Sequence, residues 1–414
     1  MLNNNFIKPD YDRACFAHIP QTITYLLTGA GACPLPPEAF GRLPRQYERV
    51  VLFFIDAFGW QFFEKYHDNY PFLKEISRHG VVSRLTAQFP STTAAHVTCI
   101  HTGQPVGQSG VYEWFYYEPQ LDALIAPLLF SFAGNTRRDT LKSTQIDPKT
   151  LYPTQTIYQT LQRQGISSYI FQHRDYTPTV YSDIIAQGAK VSPYKTLSEA
   201  LVNVRQILTQ SQPGSYIFLY FDKIDAIGHE YGPTSPQFEA EVDTFLTAME
   251  RLFLNPLKGR LKQTLFIMTA DHGQVEVDPQ TTIYLNRSPQ FAGIERYLKT
   301  NRQGELLVPA GSCRDMFLYI EDDLLDEAQE FLTPRLEGKA EVCKVQTLID
   351  EGFFGPLPVS DSFLARVGNL VLLPYEHETI WWYEKDKFEQ KYYGHHGGLT
   401  RPEMEIPFCL YYFA

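Results

Sequence analysis

The chain holds 414 residues, 44% of them apolar and 20% charged, with a formal net charge of -11. That balance excludes a disordered chain and gives a globular protein with a large core, as one big α/β domain with an insertion or as two domains. An acidic chain without a long basic run also excludes a nucleic-acid polymer as partner, while leaving room for a small phosphate ester held by metal ions.

In chain order, the opening stretch MLNNNFIKPDYDRACF lacks a basic run followed by an apolar one. No window reaches ~18 uninterrupted apolar residues, so neither a signal peptide nor a membrane span is expected. Cys15, Cys33, Cys99, Cys313, Cys343 and Cys409 form no C-x-x-C pair. That spacing argues for reduced thiols in a cytoplasmic protein, not for a zinc knuckle or a disulfide framework.

Residues 1–45 read as an irregular segment closed by the Pro-rich CPLPPEAFGRLPRQ. The strand RVVLFFID follows, a continuous apolar run of the kind buried on both faces of a parallel sheet. Next comes QFPSTTAAHVTCIHTG (88–103), where Ser91, Thr92 and Thr93 stand between an apparent strand and a helix that ends at Thr102 and Gly103. Hydroxyls at a helix start either cap free backbone N–H groups or face a bound phosphate, which one of them can attack.

GVYEWFYYEP (110–119) supplies Tyr112, Trp114, Phe115 and Tyr116 as stacking surfaces for a flat group, or more simply as packing aromatics. The runs SSYIFQ, GSYIFLYFD and QTLFIMTAD read as further buried strands, with SEALVNVRQILTQ and FEAEVDTFLTAMERLF as helices between them. His173 and Arg174, after SSYIFQ, fit a surface loop better than a phosphate contact. Strands alternating with helices predict an α/β sheet covered on both faces.

The core so read runs over 1–285 and resumes over 386–414, where YYGHHGGLTRPEMEIPFCLYYF ends in a last strand. Between them, 286–385 reads as an inserted cap-like subdomain with a strand pair, RDMFLYIED and GNLVLLPYE, and no catalytic cluster.

Three aspartates fall at or just past strand ends: Asp56, Asp225 and Asp271. Ligands of open α/β sheets sit beyond the carboxyl ends of the strands, and three carboxylates gathered there repel unless a cation lies between them. His229, His272 and the pair His395–His396 accompany them. Carboxylate oxygen with imidazole nitrogen and no thiolate suits zinc, manganese or iron. Two such metals about 4 Å apart would clamp the attacking and leaving oxygens of a phosphoryl transfer.

The order Asp56, FPSTT…TG, DxxGHxYGP (225–233), ADHG (270–273) and GxHG (394–397) resembles the alkaline phosphatase superfamily. Within it the chain is most similar to the type I phosphodiesterase/nucleotide pyrophosphatase family, over about residues 48–285 and 390–414. The resemblance implies an alkaline phosphatase-like α/β/α sandwich around a mostly parallel sheet.

It implies two divalent metal ions, zinc first with manganese or iron as alternatives. One falls to Asp56, Thr93, Asp271 and His272, the other to Asp225, His229 and His396. The nucleophile lies nine residues before the Thr of the closing TG, which selects Thr93 over Thr92 and leaves Thr92 and Ser91 as capping neighbours. His96 stands where the family often has an asparagine, three residues past the nucleophile, and is expected to contact a phosphate oxygen. His395 is the alternative to His396.

The implied activity is hydrolysis of phosphodiester or nucleotide pyrophosphate bonds in a small substrate through a phospho-threonine. A phosphomonoesterase or phosphonate hydrolase on the same scaffold is the rival. A non-catalytic, metal-dependent phosphate-binding module is the reading of another class.

Overall fold

Phe53 and Phe54, neighbours on the first strand, send their rings to opposite sides of a sheet, as successive strand residues must. The Phe53 ring lies 4.7 Å from Phe253, and the Phe54 ring lies 5.6 Å from Phe16. Both faces are therefore roofed, and every residue from Val50 to Ile55 is fully buried. These positions come from a computed structural model, which describes residues 4–210 and 213–414. The head of the opening stretch, residues 1–3, lies outside the described residues.

The central sheet has seven strands: β1 (Arg49–Ile55), β2 (Val81–Thr86), β3 (Ser167–His173), β4 (Ala189–Tyr194), β5 (Ser215–Phe221), β6 (Thr264–Thr269) and β7 (Glu405–Phe413). Their order is β2-β7-β6-β1-β5-β3-β4. β1 runs parallel to β5 and β6, and β5, β3 and β4 continue the parallel run. β7 is the exception, antiparallel to both β6 and β2. The four apolar runs read as strands and the closing run are all in this sheet, and the sheet is α/β and mostly parallel as expected.

Register places the chemistry. Ile55 pairs with Phe221 and Phe54 pairs with Thr269, so Asp56, Asp222 and Ala270–Asp271 leave the sheet side by side at one carboxyl edge.

The segment 286–385 does contain the expected strand pair, Met316–Leu318 with Leu370–Pro374, which run antiparallel, with Ala340–Lys344 on the other side. A second apolar cluster gathers there, including Tyr297, Met316, Leu332 and Leu372. Phe317, Phe354 and Phe363 of the same segment nevertheless join the main core. The segment is thus packed into the body of the protein. No helix among the described residues is long and apolar enough to cross a membrane.

Candidate active site

The helix Thr93–Thr102 begins at the sheet's carboxyl edge and ends on Gly103, whose φ of 73° suits a left-handed stop. Its first turn carries no side-chain cap. Contrary to the expectation for Thr92 and Ser91, neither hydroxyl caps the helix. Thr92 Oγ1 donates to the Tyr112 carbonyl at 3.2 Å, and Ser91 Oγ donates to the Gly398 carbonyl at 2.7 Å. Both tie the turn to neighbouring loops and leave the positive helix end open toward Thr93.

Thr93 Oγ1 lies 3.3 Å from His272 Nε2. Around the same nitrogen stand Asp271 Oδ2 at 3.3 Å and Asp56 Oδ1 at 3.5 Å. Each aspartate spends its other oxygen on the protein. Asp56 Oδ2 accepts from the Tyr220 hydroxyl, and Asp271 Oδ1 accepts from the backbone N–H groups of Ala57 and His272, both at 3.0 Å. Ala57 holds a left-handed φ of 58° to aim its N–H at Asp271. The remaining atoms, Asp56 Oδ1 and Asp271 Oδ2, are buried with no hydrogen-bond partner.

A second group adjoins the first. Asp225 and His229 share one face of the helix Lys223–Tyr231, four residues apart, with Asp225 Oδ1 3.4 Å from His229 Nε2. His396 Nε2 approaches the same oxygen at 3.7 Å, and Gln274 Nε2 donates to it at 2.6 Å. The His272 and His396 rings stack at 3.6 Å and join the two groups.

The three histidines share one arrangement. Nδ1 of His229, His272 and His396 donates to the carbonyls of Gly394, Gly273 and Ser91, at 2.7, 3.0 and 3.0 Å. That fixes the proton on Nδ1 and leaves each Nε2 lone pair free for a cation.

Burial dominates the electrostatics. It pushes Asp56 well above the carboxylate range, with Asp271 and Asp225 adding repulsion, and raises Asp271 to about 7. Burial holds His272 and His396 well below the usual imidazole value. Unpartnered carboxylate oxygens facing neutral imidazoles are a donor set that divalent cations satisfy. Two such sets have their ligand atoms within 4.8 Å of one another: Asp56, Asp271 and His272, and Asp225, His272 and His396.

His96 is elsewhere, and the expected phosphate contact is corrected. Its ring is fully buried against Phe16, 4.7 Å away. Nε2 accepts from the Gln88 N–H at 2.8 Å and Nδ1 bonds the Thr92 carbonyl at 2.7 Å. Both nitrogens are committed to backbone. His395 and His229 both lie outside the two ligand sets, but His229 Nε2 stands 3.4 Å from Asp225 Oδ1, whereas His395 Nδ1 accepts from the His396 N–H at 3.1 Å.

A cavity of about 170 Å³ opens from Asp56, Thr93 and Asp225 toward Trp114, Leu128, Arg138 and Tyr176. Trp114 is 40% exposed there, whereas Tyr112 and Tyr116 are core. Gln274 and Tyr220 escaped the sequence reading. The one signal for Gln274 is its place directly after DHG, and for Tyr220 a hydroxyl near the end of an apolar strand, two residues before Asp222.

The family model for type I phosphodiesterase/nucleotide pyrophosphatase matches residues 50–399. Human ectonucleotide pyrophosphatase/phosphodiesterase family member 7 is 26% identical over 281 residues, covering 64% of this chain and 57% of that protein. The chain thus spans little more than half of that relative. Among solved structures, murine ectonucleotide pyrophosphatase/phosphodiesterase 5 superposes with a TM-score of 0.64 at 20% identity, covering 87% of each chain. Phosphonoacetate hydrolase from Sinorhizobium meliloti 1021 gives 0.59 at 17% identity, covering 87% of this chain and 89% of that one. These two likenesses bear on the fold, the alkaline phosphatase-like α/β/α sandwich.

Proposed function

The chain belongs to the type I phosphodiesterase/nucleotide pyrophosphatase family, and from that premise we propose that it hydrolyses phosphodiester or nucleotide pyrophosphate bonds in small substrates, with Thr93 as nucleophile. The observation that carries this reading is the Thr93 hydroxyl at an uncapped helix start, 3.3 Å from His272 Nε2. The unpartnered oxygens of Asp56 and Asp271 stand beside it.

Asp56, Thr93, Asp271 and His272 would hold one divalent cation, and Asp225, His229 and His396 a second, zinc being the first choice and manganese or iron the alternatives. Such cations supply positive charge to the phosphate oxygens and lower the hydroxyl's hold on its proton. Thr93 Oγ attacks phosphorus in line, the leaving oxygen departs on the far side, and a phospho-threonine forms. Water then attacks that phosphorus and frees Thr93. Gln274 holds Asp225, and Tyr220 holds Asp56, so that both carboxylates keep their orientation throughout. The cavity toward Trp114 and Arg138 receives the group retained on phosphorus.

The test is a rate comparison on an aryl phosphodiester, an aryl monoester, a phosphonate and a dinucleoside polyphosphate, with zinc or manganese added. Diester or dinucleotide turnover well above the monoester rate is the expected result. The opposite order moves the chain to the monoesterase reading, and preferred cleavage of the phosphonate moves it to phosphonate hydrolysis. Phosphate binding without turnover by the metal-loaded protein makes it a binding module.

A further inference from the structure

Behind the Trp114 wall of the cavity lie two carboxyl groups that the mechanism does not use. Glu113 and Asp315 are both fully buried on adjoining segments, tied where the Gly311 N–H donates to the Phe115 carbonyl at 2.7 Å, and the Glu113 charge acts on Asp315. Glu113 Oε2 accepts the Trp114 N–H. Asp315 Oδ1 accepts from the Ser312 N–H at 3.0 Å and from the Ser312 hydroxyl at 2.5 Å. That leaves Glu113 Oε1 and Asp315 Oδ2, each buried with no donor. The neighbouring cation is spent: Arg314 forms a two-pronged pair with Glu403 at 2.9 and 3.0 Å. Two bare carboxylates in that position would repel, whereas one proton between them turns repulsion into a hydrogen bond.

The pair joins two parts of the site. On one side Glu113 holds the backbone of Trp114, which lines the cavity with Thr93. On the other, the Ser312 hydroxyl also lies 3.2 Å from the carbonyl oxygen of His396. Gly397 sits so close that a side chain there would meet Ser312 Oγ at 2.5 Å and Asp315 Oδ1 at 2.8 Å. We propose that Glu113 and Asp315 share one proton and act as a positioning pair, clamping the Trp114 wall to the loop that carries His396.

Burial supports the assignment, pushing Glu113 up to about 8 and raising Asp315 through desolvation and the Glu113 charge. The other titratable groups around the pair are the Tyr112 phenol and the Cys313 thiol, both pushed up by burial, and Arg314 with Glu403. The phenol, the thiol and the guanidinium keep their charge below pH 8.

The sign follows from linkage. The folded pair keeps a proton that the unfolded chain releases near the usual glutamate value of about 4.3. Its contribution to stability is full in acid, declines as pH rises above the unfolded value, and is gone once the pair has lost its shared proton. Glu113→Gln replaces the shared proton with a permanent N–H donor to Asp315.

The test uses the metal-loaded full chain. Wild type should show the infrared carbonyl band of a protonated carboxyl group at pH 7, and Glu113→Gln should lack it. In wild type, kcat on an aryl diester should fall on the alkaline side, roughly tenfold per pH unit once the pair loses its shared proton. In Glu113→Gln that fall should vanish with KM unchanged, and the melting temperature should decline less between pH 5 and pH 8. Asp315→Asn should behave alike and serves if the first variant does not fold.

Absence of the infrared band overturns the shared proton. The band with an unaltered kcat profile in Glu113→Gln overturns the positioning role. A calcium- or sodium-dependent rise in wild-type melting that the variant abolishes puts an ion where we place the proton. The kcat arm rests on the proposed function; the infrared and melting arms need no turnover. A protein without activity would therefore defeat that function and leave the proton reading to its own result.

Discussion

Two neighbouring hydroxyls separate the chemistry from its support. Thr93→Ala should abolish turnover, a loss on the order of 5 kcal/mol in transition-state stabilisation, while Thr93→Ser keeps part of the rate because the oxygen remains. Thr92→Ala should cost about 1 kcal/mol of stability through its bond to the Tyr112 carbonyl and leave the rate largely intact. Steady-state rates with melting curves check both, and a dead Thr92→Ala beside an active Thr93→Ala would shift the nucleophile by one residue. His96 makes the opposite kind of prediction. Burial lowers its folded value to about 4, so neutral His96 contributes stability that is complete above the unfolded value of about 6.5 and is lost as pH falls through about 4. His96→Asn should flatten that acid decline in melting temperature and leave the acid limb of the rate profile unchanged; a shifted limb would restore the phosphate contact. The aspartates and histidines of the site were legible because each follows a strand or sits in a short motif. The role of His96 was not, since a spacing carries no information on whether a ring nitrogen already has a backbone partner.

Elements were read well where hydrophobic runs decide them and poorly where a close approach does. RVVLFFID and QTLFIMTAD could hardly be anything but buried strands, and they are β1 and β6. Nothing in DHG, by contrast, announces that its glycine is wedged between two chain segments. A side chain at Gly273 would meet the Pro402 carbonyl oxygen at 2.1 Å, and one at Gly59 would meet Gly273 Cα at 2.6 Å. All of these obstacles are backbone, which cannot rotate away. Gly273→Ala should therefore displace His272, costing about 1–3 kcal/mol and most of the bound metal. Melting and elemental analysis would show it, and full metal content in a normally stable variant would mean that the DHG turn yields more easily than its packing implies.

Across the whole molecule, the segment read as a cap proves to brace the core. Arg314, fully buried, reaches Glu403 with two nitrogens and the Tyr375 carbonyl at 2.7 Å. Glu403 in turn accepts from the N–H groups of Gly398 and Thr400, at 3.0 and 3.2 Å. Arg314→Ala strands a buried carboxylate and should cost about 3–5 kcal/mol, seen in denaturant melts; a change below about 1 kcal/mol would show that water replaces the guanidinium. The sequence could not reveal this brace, because the partners lie 89 positions apart and neither belongs to a motif.

β7 sits between β2 and β6, and it is made after every other strand of the sheet. Until residues 405–413 leave the ribosome, the sheet is a five-stranded block, with the β6 edge bare and β2 detached from it. His396 and its glycines arrive only just before. A nascent or prematurely terminated chain therefore lacks part of its donor set and presents an open, apolar strand edge, the feature that recruits chaperones or seeds aggregation. Completion of the donor set and protection from self-association are thus acquired together, as this one strand and the loop before it are delivered.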